Sequence, residues 1–295
     1  MPSIQAKIAR WILKLRRYSE VRGTIEQQRL KLEKATRIFQ IPRDIEVKPV
    51  NINGLSAAWF SISDPINGVV LYLHGGAYAL GSIRGYQEYM GRLASVTRAQ
   101  ILAVDYRLAP EHPFPAALDD SLAAYRWLIS QGIDPSALVI AGDSAGGGLT
   151  LATLVALRDT GDLLPACVVC ISPWVDLTLS SESMQSKAKK DFMLRPDLLA
   201  RYADLYAGEV DKGHPLISPL FADLQGLPPV LIHVGTDEIL LGEAIRFTEK
   251  ARAAGVEAEL KTWEGLFHVF QMVPILPESE ASFEEIGDFI ARFIP

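Results

Sequence analysis

From about residue 45 to its end, the chain alternates short β-branched or aliphatic runs with longer stretches whose apolar residues recur every three or four positions. The runs at 47–51, 57–61, 68–73, 99–105, 137–141, 166–171, 230–235 and 258–263 predict eight strands. The stretches at 83–98, 116–131, 146–159, 242–254 and 278–294 predict helices between and after them. Near-continuous apolar strands are those buried on both faces. The expectation is an α/β fold, a mostly parallel eight-stranded sheet with helices on both faces.

Two stretches break the alternation. Residues 1–40 have helical patterning and precede the first strand, and residues 176–229 separate two strands by far more than the roughly two to six residues of an ordinary connection. Within 176–229, Phe192, Met193, Leu194, Leu198, Leu199, Tyr202 and Leu205 are spaced as on helices with an apolar face, which predicts a lid above the strand ends. Residues 41–175 and 230–295 then make up the α/β domain. Repeats and low-complexity segments are absent from the sequence.

Composition and charge narrow the function classes. At 295 residues and 49% hydrophobic the chain has ample material for a core. Its net charge of −6 and the lack of a basic stripe in its body argue against a nucleic-acid partner. The first forty residues differ: ten Lys or Arg against three Glu give +7 and leave −13 on the rest. Their apolar residues Ile8, Ile12, Leu13 and Leu15 are few, which points to a solvated helix packed on the acidic body rather than to one that touches acidic lipid. No apolar run reaches the roughly 18 residues of a spanning helix. Arg10 and Lys14 also interrupt the stretch 8–15 as a signal-peptide core, so no integral membrane association and a cytoplasmic location are expected. Cys167 and Cys170 fall three apart in one predicted strand and face opposite sides, so they are expected as core thiols rather than a disulfide or metal site.

The segment Gly142-Asp143-Ser144-Ala145-Gly146-Gly147 joins a predicted strand to a predicted helix. A turn that sharp lifts Ser144 out of the fold and crowds the backbone at Gly142 and Gly146, which makes Ser144 a candidate nucleophile. A glycine-rich turn of this kind could instead cradle a phosphate. However, no lysine follows it to meet one. A second motif, His74-Gly75-Gly76-Ala77-Tyr78, follows the strand 68–73. Its uncovered N–H groups at Gly75, Gly76 and Ala77, with that of Ala145, are candidate donors to an oxyanion.

A serine hydroxyl needs a base, and the base needs an acid to orient it. Of the five histidines, His74 belongs to the glycine loop, His112 to a proline-rich turn, His214 to the insertion and His233 to a strand. His268 alone follows the last strand and is the candidate base. Asp237, after the preceding strand, is the candidate acid, with Glu238 as fallback, while Asp143 is set aside because neighbours of such a serine project away from it. Tyr78, Trp174, Phe192, Tyr202, Tyr206, Phe267 and Phe270 are candidate walls of a substrate pocket.

With these residues in view, the chain resembles the bacterial branch of the hormone-sensitive-lipase family of α/β-hydrolase esterases over roughly residues 65–295. The resemblance rests on His74-Gly75-Gly76-Ala77-Tyr78, on Tyr106-Arg107-Leu108-Ala109-Pro110-Glu111-His112-Pro113-Phe114-Pro115-Ala116-Ala117, on Gly142-Asp143-Ser144-Ala145-Gly146-Gly147, on Ser172-Pro173-Trp174, and on Asp237 and His268. It implies hydrolysis of short- to medium-chain carboxylic esters through an acyl-enzyme, with a small-molecule ester and water as partners and no metal or organic cofactor. It further implies that the Tyr106 motif braces the strand and turn beneath the site, that residues 1–40 and 176–229 form a helical cap, and it is compatible with a homodimer through the last strand or helix. Two departures stand out. Ala77 replaces a third glycine and is expected to offer its N–H from a conformation open to alanine. Leu240-Leu241-Gly242-Glu243 stands where a second acidic residue is common, which is expected to tune activity rather than abolish it. Amides, carbamates or lactones suit the same triad, and a non-catalytic ligand receptor is the other class, although the plant gibberellin receptors that resemble these enzymes lack the histidine.

Overall fold

The alternation read from the sequence closes into one sheet. The computed structural model describes residues 1–16, 23–36, 39–66 and 68–295; Arg17, Arg22 and Arg37 of the basic segment lie outside the described residues. Among the described residues the strands are β1 Glu46–Ile52, β2 Leu55–Ser61, β3 Val69–Leu73, β4 Gln100–Val104, β5 Leu138–Asp143, β6 Cys167–Ile171, β7 Val230–Gly235 and β8 Ala258–Trp263. They lie in the order β1-β2-β4-β3-β5-β6-β7-β8. β2 runs antiparallel to both its neighbours and every other pair except β1–β2 is parallel.

Every residue of β3, β5, β6 and β7 is buried. Their side chains alternate between two cores: Leu71 and Leu73 face one, Val70 and Tyr72 the other. The cysteines divide in the same way, Cys170 into the first core and Cys167 into the second, and both are free thiols. The first core is covered by α4 Ala116–Ser130, α5 Ala145–Thr160 and α8 Leu241–Ala253, and the second by α3 Ile83–Thr97 and α9 Pro277–Ala291.

This strand order brings the chemistry-bearing loops together. β3 and β5 are neighbours in register, with Leu73 opposite Gly142, so the His74 loop leaves the sheet beside the Ser144 turn. β7 and β8 end together at Gly235 and Trp263, so the loops carrying Glu238 and His268 also emerge side by side. All four lie at the carboxyl ends of parallel strands, where open α/β sheets bind ligands.

Each of the two stretches outside the alternation contributes two α-helices among the described residues. Before β1 come α1 Ile4–Arg16 and α2 Ile25–Thr36; between β6 and β7 come α6 Ser183–Ser186 and α7 Pro196–Ala207. Ser3 caps α1, its Oγ accepting the Ala6 N–H at 3.0 Å. The Ser3 N–H and hydroxyl donate to Glu278 in the first turn of α9, at 2.5 and 2.9 Å. Ala6 and Ala9 of α1 pack on Phe192, Leu266, Phe267, Phe270 and Leu276. From α2, Arg29 donates to the carbonyls of Ala79 and Ala109 and pairs with Glu111, tying this helix to the two motif loops. Among the described residues no helix is long and apolar enough to cross a membrane.

Candidate active site

Ser144 sits between the last residue of β5 and the first of α5 with φ 53° and ψ −121°, a strained conformation for a residue with a Cβ. The flanking glycines make this possible. A Cβ on Gly142 would collide with the Gly146 carbonyl, and one on Gly146 with the Leu73 carbonyl. The turn is held from both sides, with the Ser144 N–H donating to the Ile171 carbonyl (2.8 Å) and the Trp174 N–H to that of Ser144 (2.9 Å).

His268 faces this serine, its Nε2 2.9 Å from Ser144 Oγ. On the far side of the ring, His268 Nδ1 lies 2.7 Å from Glu238 Oε2. An Nδ1–H donating to the carboxylate leaves the Nε2 lone pair facing the serine hydroxyl, the tautomer a base requires. The acid in contact is therefore Glu238 and not the expected Asp237, which points away and forms an ion pair with Arg10 of α1. The turn after β7 explains the choice. Glu238 folds back so that its Oε1 accepts the Gly235 N–H (2.7 Å) and the Ser172 hydroxyl (2.8 Å), which directs Oε2 at the ring. Asp237, one residue earlier, turns the other way, against α1, where it too is buried.

Glu238, Ser172 and His268 are all buried. Burial disfavours the imidazolium of His268, but the charge and hydrogen bond of Glu238, with smaller contributions from Asp191 and Asp143, outweigh it and hold the ring above its ordinary pKa. Asp191, from the insertion, accepts the N–H groups of Met193 and Leu194 (both 2.8 Å) and of Ile239 (2.9 Å), and so pins the residue after Glu238. Burial raises the pKa of its carboxyl.

The loop after β3 also differs from the expectation. The Gly75 N–H is not free: it donates to Asp143 Oδ1 at 2.9 Å, with Tyr86 Oη also within 3.1 Å. Among the described residues, the N–H groups of Gly76, Ala77 and Ala145 have no recorded acceptor. Ala77 and Tyr78 adopt φ of 53° and 59°, so alanine occupies the left-handed region rather than a conformation open to it. The loop is braced from below. Asp143 projects away from His268, as expected of the serine's neighbour, and accepts the hydroxyls of Tyr72 (2.9 Å) and Tyr86 (2.7 Å). Tyr106 donates its hydroxyl to the His74 carbonyl (2.6 Å) and its ring stacks on that of His74, centroids 4.4 Å apart. Beyond it, Arg107 makes a forked ion pair with Asp120 (2.8–3.0 Å). That gives the Tyr106 motif a physical role under the loop.

The seven candidate wall residues separate into groups. Tyr78 stacks on Tyr206 with centroids 3.7 Å apart and lies tilted to Trp174 at 6.1 Å. Tyr202 is bonded through its hydroxyl to Gln28 of α2. Phe192 and Phe267 pack at 5.2 Å under α1, whereas Phe270 is fully buried against Trp263. Glu243, at the second-acid position, turns inward and accepts the N–H groups of Val175 (2.6 Å) and Asp176 (3.3 Å). Burial places its pKa well above the usual carboxyl range.

Sequence reasoning missed Ser172, Asp191, Tyr72, Tyr86 and Arg10. Ser172 had one visible signal, its place in the Ser172-Pro173-Trp174 motif at the end of a predicted strand. The others act through distant partners that no local spacing reveals.

Known proteins are similar to this chain over most of its length. A family model described as the alpha/beta hydrolase fold matches residues 70–272. An acetyl-hydrolase of Streptomyces hygroscopicus is 38% identical over 294 residues, which cover 98% of this chain and 97% of that protein. An esterase of Acinetobacter venetianus is 37% identical over 260 residues, 88% and 86% of the two chains. A crystal structure of an esterase from the bacterial hormone-sensitive lipase family is 40% identical, with a TM-score of 0.96 over 100% of both chains.

Proposed function

This chain belongs to the bacterial hormone-sensitive-lipase family of α/β-hydrolase esterases, and from that premise we propose that it hydrolyses carboxylic esters with Ser144 as nucleophile, His268 as base and Glu238 as the acid. Ser144 Oγ attacks the ester carbonyl while His268 Nε2 takes its proton. The resulting negative oxygen meets the free N–H groups of Gly76, Ala77 and Ala145, and Glu238 stays ionised and stabilises the imidazolium. His268 then returns the proton to the leaving alkoxide, which departs as the alcohol. Water, deprotonated by the same ring, attacks the acyl-enzyme and releases the carboxylic acid and Ser144. None of these roles calls on a metal or organic cofactor.

The observation that carries this reading is the unbroken line from Ser144 Oγ through His268 to Glu238, with contacts of 2.9 and 2.7 Å. Short to medium acyl chains are the proposed substrates, supported by the acetyl-hydrolase among the relatives. In the same reading α1, α2 and residues 176–229 form the cap, the enzyme works in the cytoplasm, and the open edge at β8 is what a homodimer through the last strand would use. Ser144→Ala is expected to lower kcat on p-nitrophenyl butyrate by about 10⁶-fold and to abolish labelling by a fluorophosphonate. Wild-type turnover in that variant would end the proposal. An acyl-chain series from acetate to laurate, together with a matched amide and lactone, tests the substrate class.

A further inference from the structure

Helix α1 places its residues the opposite way from an ordinary surface helix. Its inner face, against Phe192 and Phe267, is made of Ala6 and Ala9 with the half-buried Leu13. Its outer face carries Ile4, Ile8, Trp11 and Ile12, with 72%, 54%, 64% and 41% of their surfaces in water. The spacing i, i+4, i+7, i+8 makes these four one continuous stripe. Burying such a side chain contributes about 1.5–3 kcal/mol. Among the described residues nothing buries them.

The charges beside the stripe are all of one sign. Lys7 and Lys14 are exposed along one flank, and no described residue pairs with either. α1 contains no acidic residue. Arg10, on the inner side, is committed to Asp237. The body of the chain is acidic, so the cationic flank is a local feature of this helix and not a property of the whole surface.

We infer that the outer face of α1 binds an anionic lipid surface, lying in the interface with its apolar stripe among the acyl chains and Lys7 and Lys14 on the headgroups. Apolar residues opposite a fixed face, lysines at the margin and a tryptophan between them are what an interfacial helix requires. Thirteen residues at 1.5 Å each give about 20 Å, short of the roughly 30 Å hydrocarbon core, so the helix lies in the plane. A second copy of the chain is a poorer occupant. A two-fold contact through this face would bring two sets of lysines together with no carboxylate on α1 to separate them. A merely solvated helix gives no reason for the large apolar residues to be the ones that face outward. Lipid binding is independent of the hydrolytic reading and is measured without turnover.

The test is co-sedimentation of the purified full chain with vesicles of phosphatidylglycerol and phosphatidylcholine, against vesicles of phosphatidylcholine alone. Wild type is expected to pellet with the anionic vesicles and to partition at least about tenfold less onto neutral ones, or in 1 M salt, where screening shortens to about 3 Å. Ile8→Ser/Trp11→Ser and Lys7→Glu/Lys14→Glu are each expected to lose about tenfold or more of that partitioning. Both variants should keep the wild-type thermal midpoint and hydrolysis of a soluble ester. The inference is overturned if wild type stays in the supernatant with anionic vesicles, or if both variants bind as wild type does. A wild-type dimer on gel filtration that Ile8→Ser/Trp11→Ser converts to monomer would also overturn it, assigning the face to a second copy.

Discussion

The strand-end site and helix α1 are built on opposite rules. Around Ser144 and His268, the large apolar side chains point inward and the buried carboxylates are held by several donors: Glu238 by three groups, Asp143 by three, Asp191 by three. In α1 the small residues face inward and the bulky ones outward, and a single ion pair from Arg10 reaches the loop beneath. The first region has one arrangement of its polar groups, because moving any member strands a buried charge. The second is held by few polar links, the Arg10–Asp237 pair and the two Ser3–Glu278 hydrogen bonds, over a small alanine face. Dense polar bonding therefore sits with the chemistry and sparse bonding with the cover, and the two meet at adjacent residues, Glu238 facing the site and Asp237 facing α1.

The sharpest way to break this comparison is to exchange those two carboxylates. Glu238→Gln is expected to lower kcat by about 10⁴-fold, because the amide no longer stabilises the imidazolium or fixes its tautomer. Asp237→Asn is expected to change kcat by less than about tenfold, since it touches only a partly exposed ion pair. Steady-state kinetics on one soluble ester decide between them. Equal losses, or the reverse order, would assign the acid to Asp237 and dissolve the distinction between the two regions.

Next in size is the brace under the oxyanion loop. Asp143→Asn keeps the shape but sets an NH₂ against groups that already donate, among Tyr72, Tyr86 and the Gly75 N–H. The loop then loses its anchor, and the N–H groups of Gly76 and Ala77 lose their aim. Losing one such donor costs about 10²–10³ in rate. The expected result is a fall of about 10² in kcat with KM little changed; a loss confined to thermal stability would reduce Asp143 to packing.

The pH profile refines the picture further. His268 acts as base only when neutral, and its pKa lies above the ordinary histidine value, so the acid limb of kcat/KM should have its midpoint above about 6.5. Activity rises with pH through that midpoint. Glu238→Gln removes the two contributions that raise it most while burial still lowers it, so the residual activity should show its limb at lower pH. Asp237→Asn should leave the limb in place. A limb that moves with Asp237 rather than Glu238 would contradict the geometry of the turn.

How much of this was legible in the sequence follows the same division. The strands, their burial and the Ser144 turn were readable because periodicity and glycine sterics are local properties. The sequence also placed Ser144 and His268 in loops that the sheet order brings together. The sequence pointed to Asp237 rather than Glu238: both follow the same strand, and only the return of Glu238 onto Gly235 and Ser172 singles it out as the acid. Gly75 was indistinguishable from Gly76 as a donor, because its acceptor is Asp143, 68 residues away. For α1, the sequence shows an amphipathic helix but not which face the body covers, and the small-residue face proved to be the inner one.

The smallest expected effect bears most directly on how the cover is attached. Arg10 is the one charged link from α1 to Asp237, and its guanidinium also lies 5.8 Å from the Phe192 ring. It is partly exposed, and a pair of that kind contributes about 0–1 kcal/mol. Arg10→Ala should therefore lower the thermal midpoint by no more than about 4 °C and leave kcat within about twofold, because Glu238 keeps all three of its partners. If Asp237 matters only as the anchor of α1, Arg10→Ala and Asp237→Asn should not add: the double variant should match either single one. Full additivity in kcat would mean that Asp237 acts on the reaction by a route other than α1, and that the boundary between the densely bonded site and its cover does not fall between residues 237 and 238.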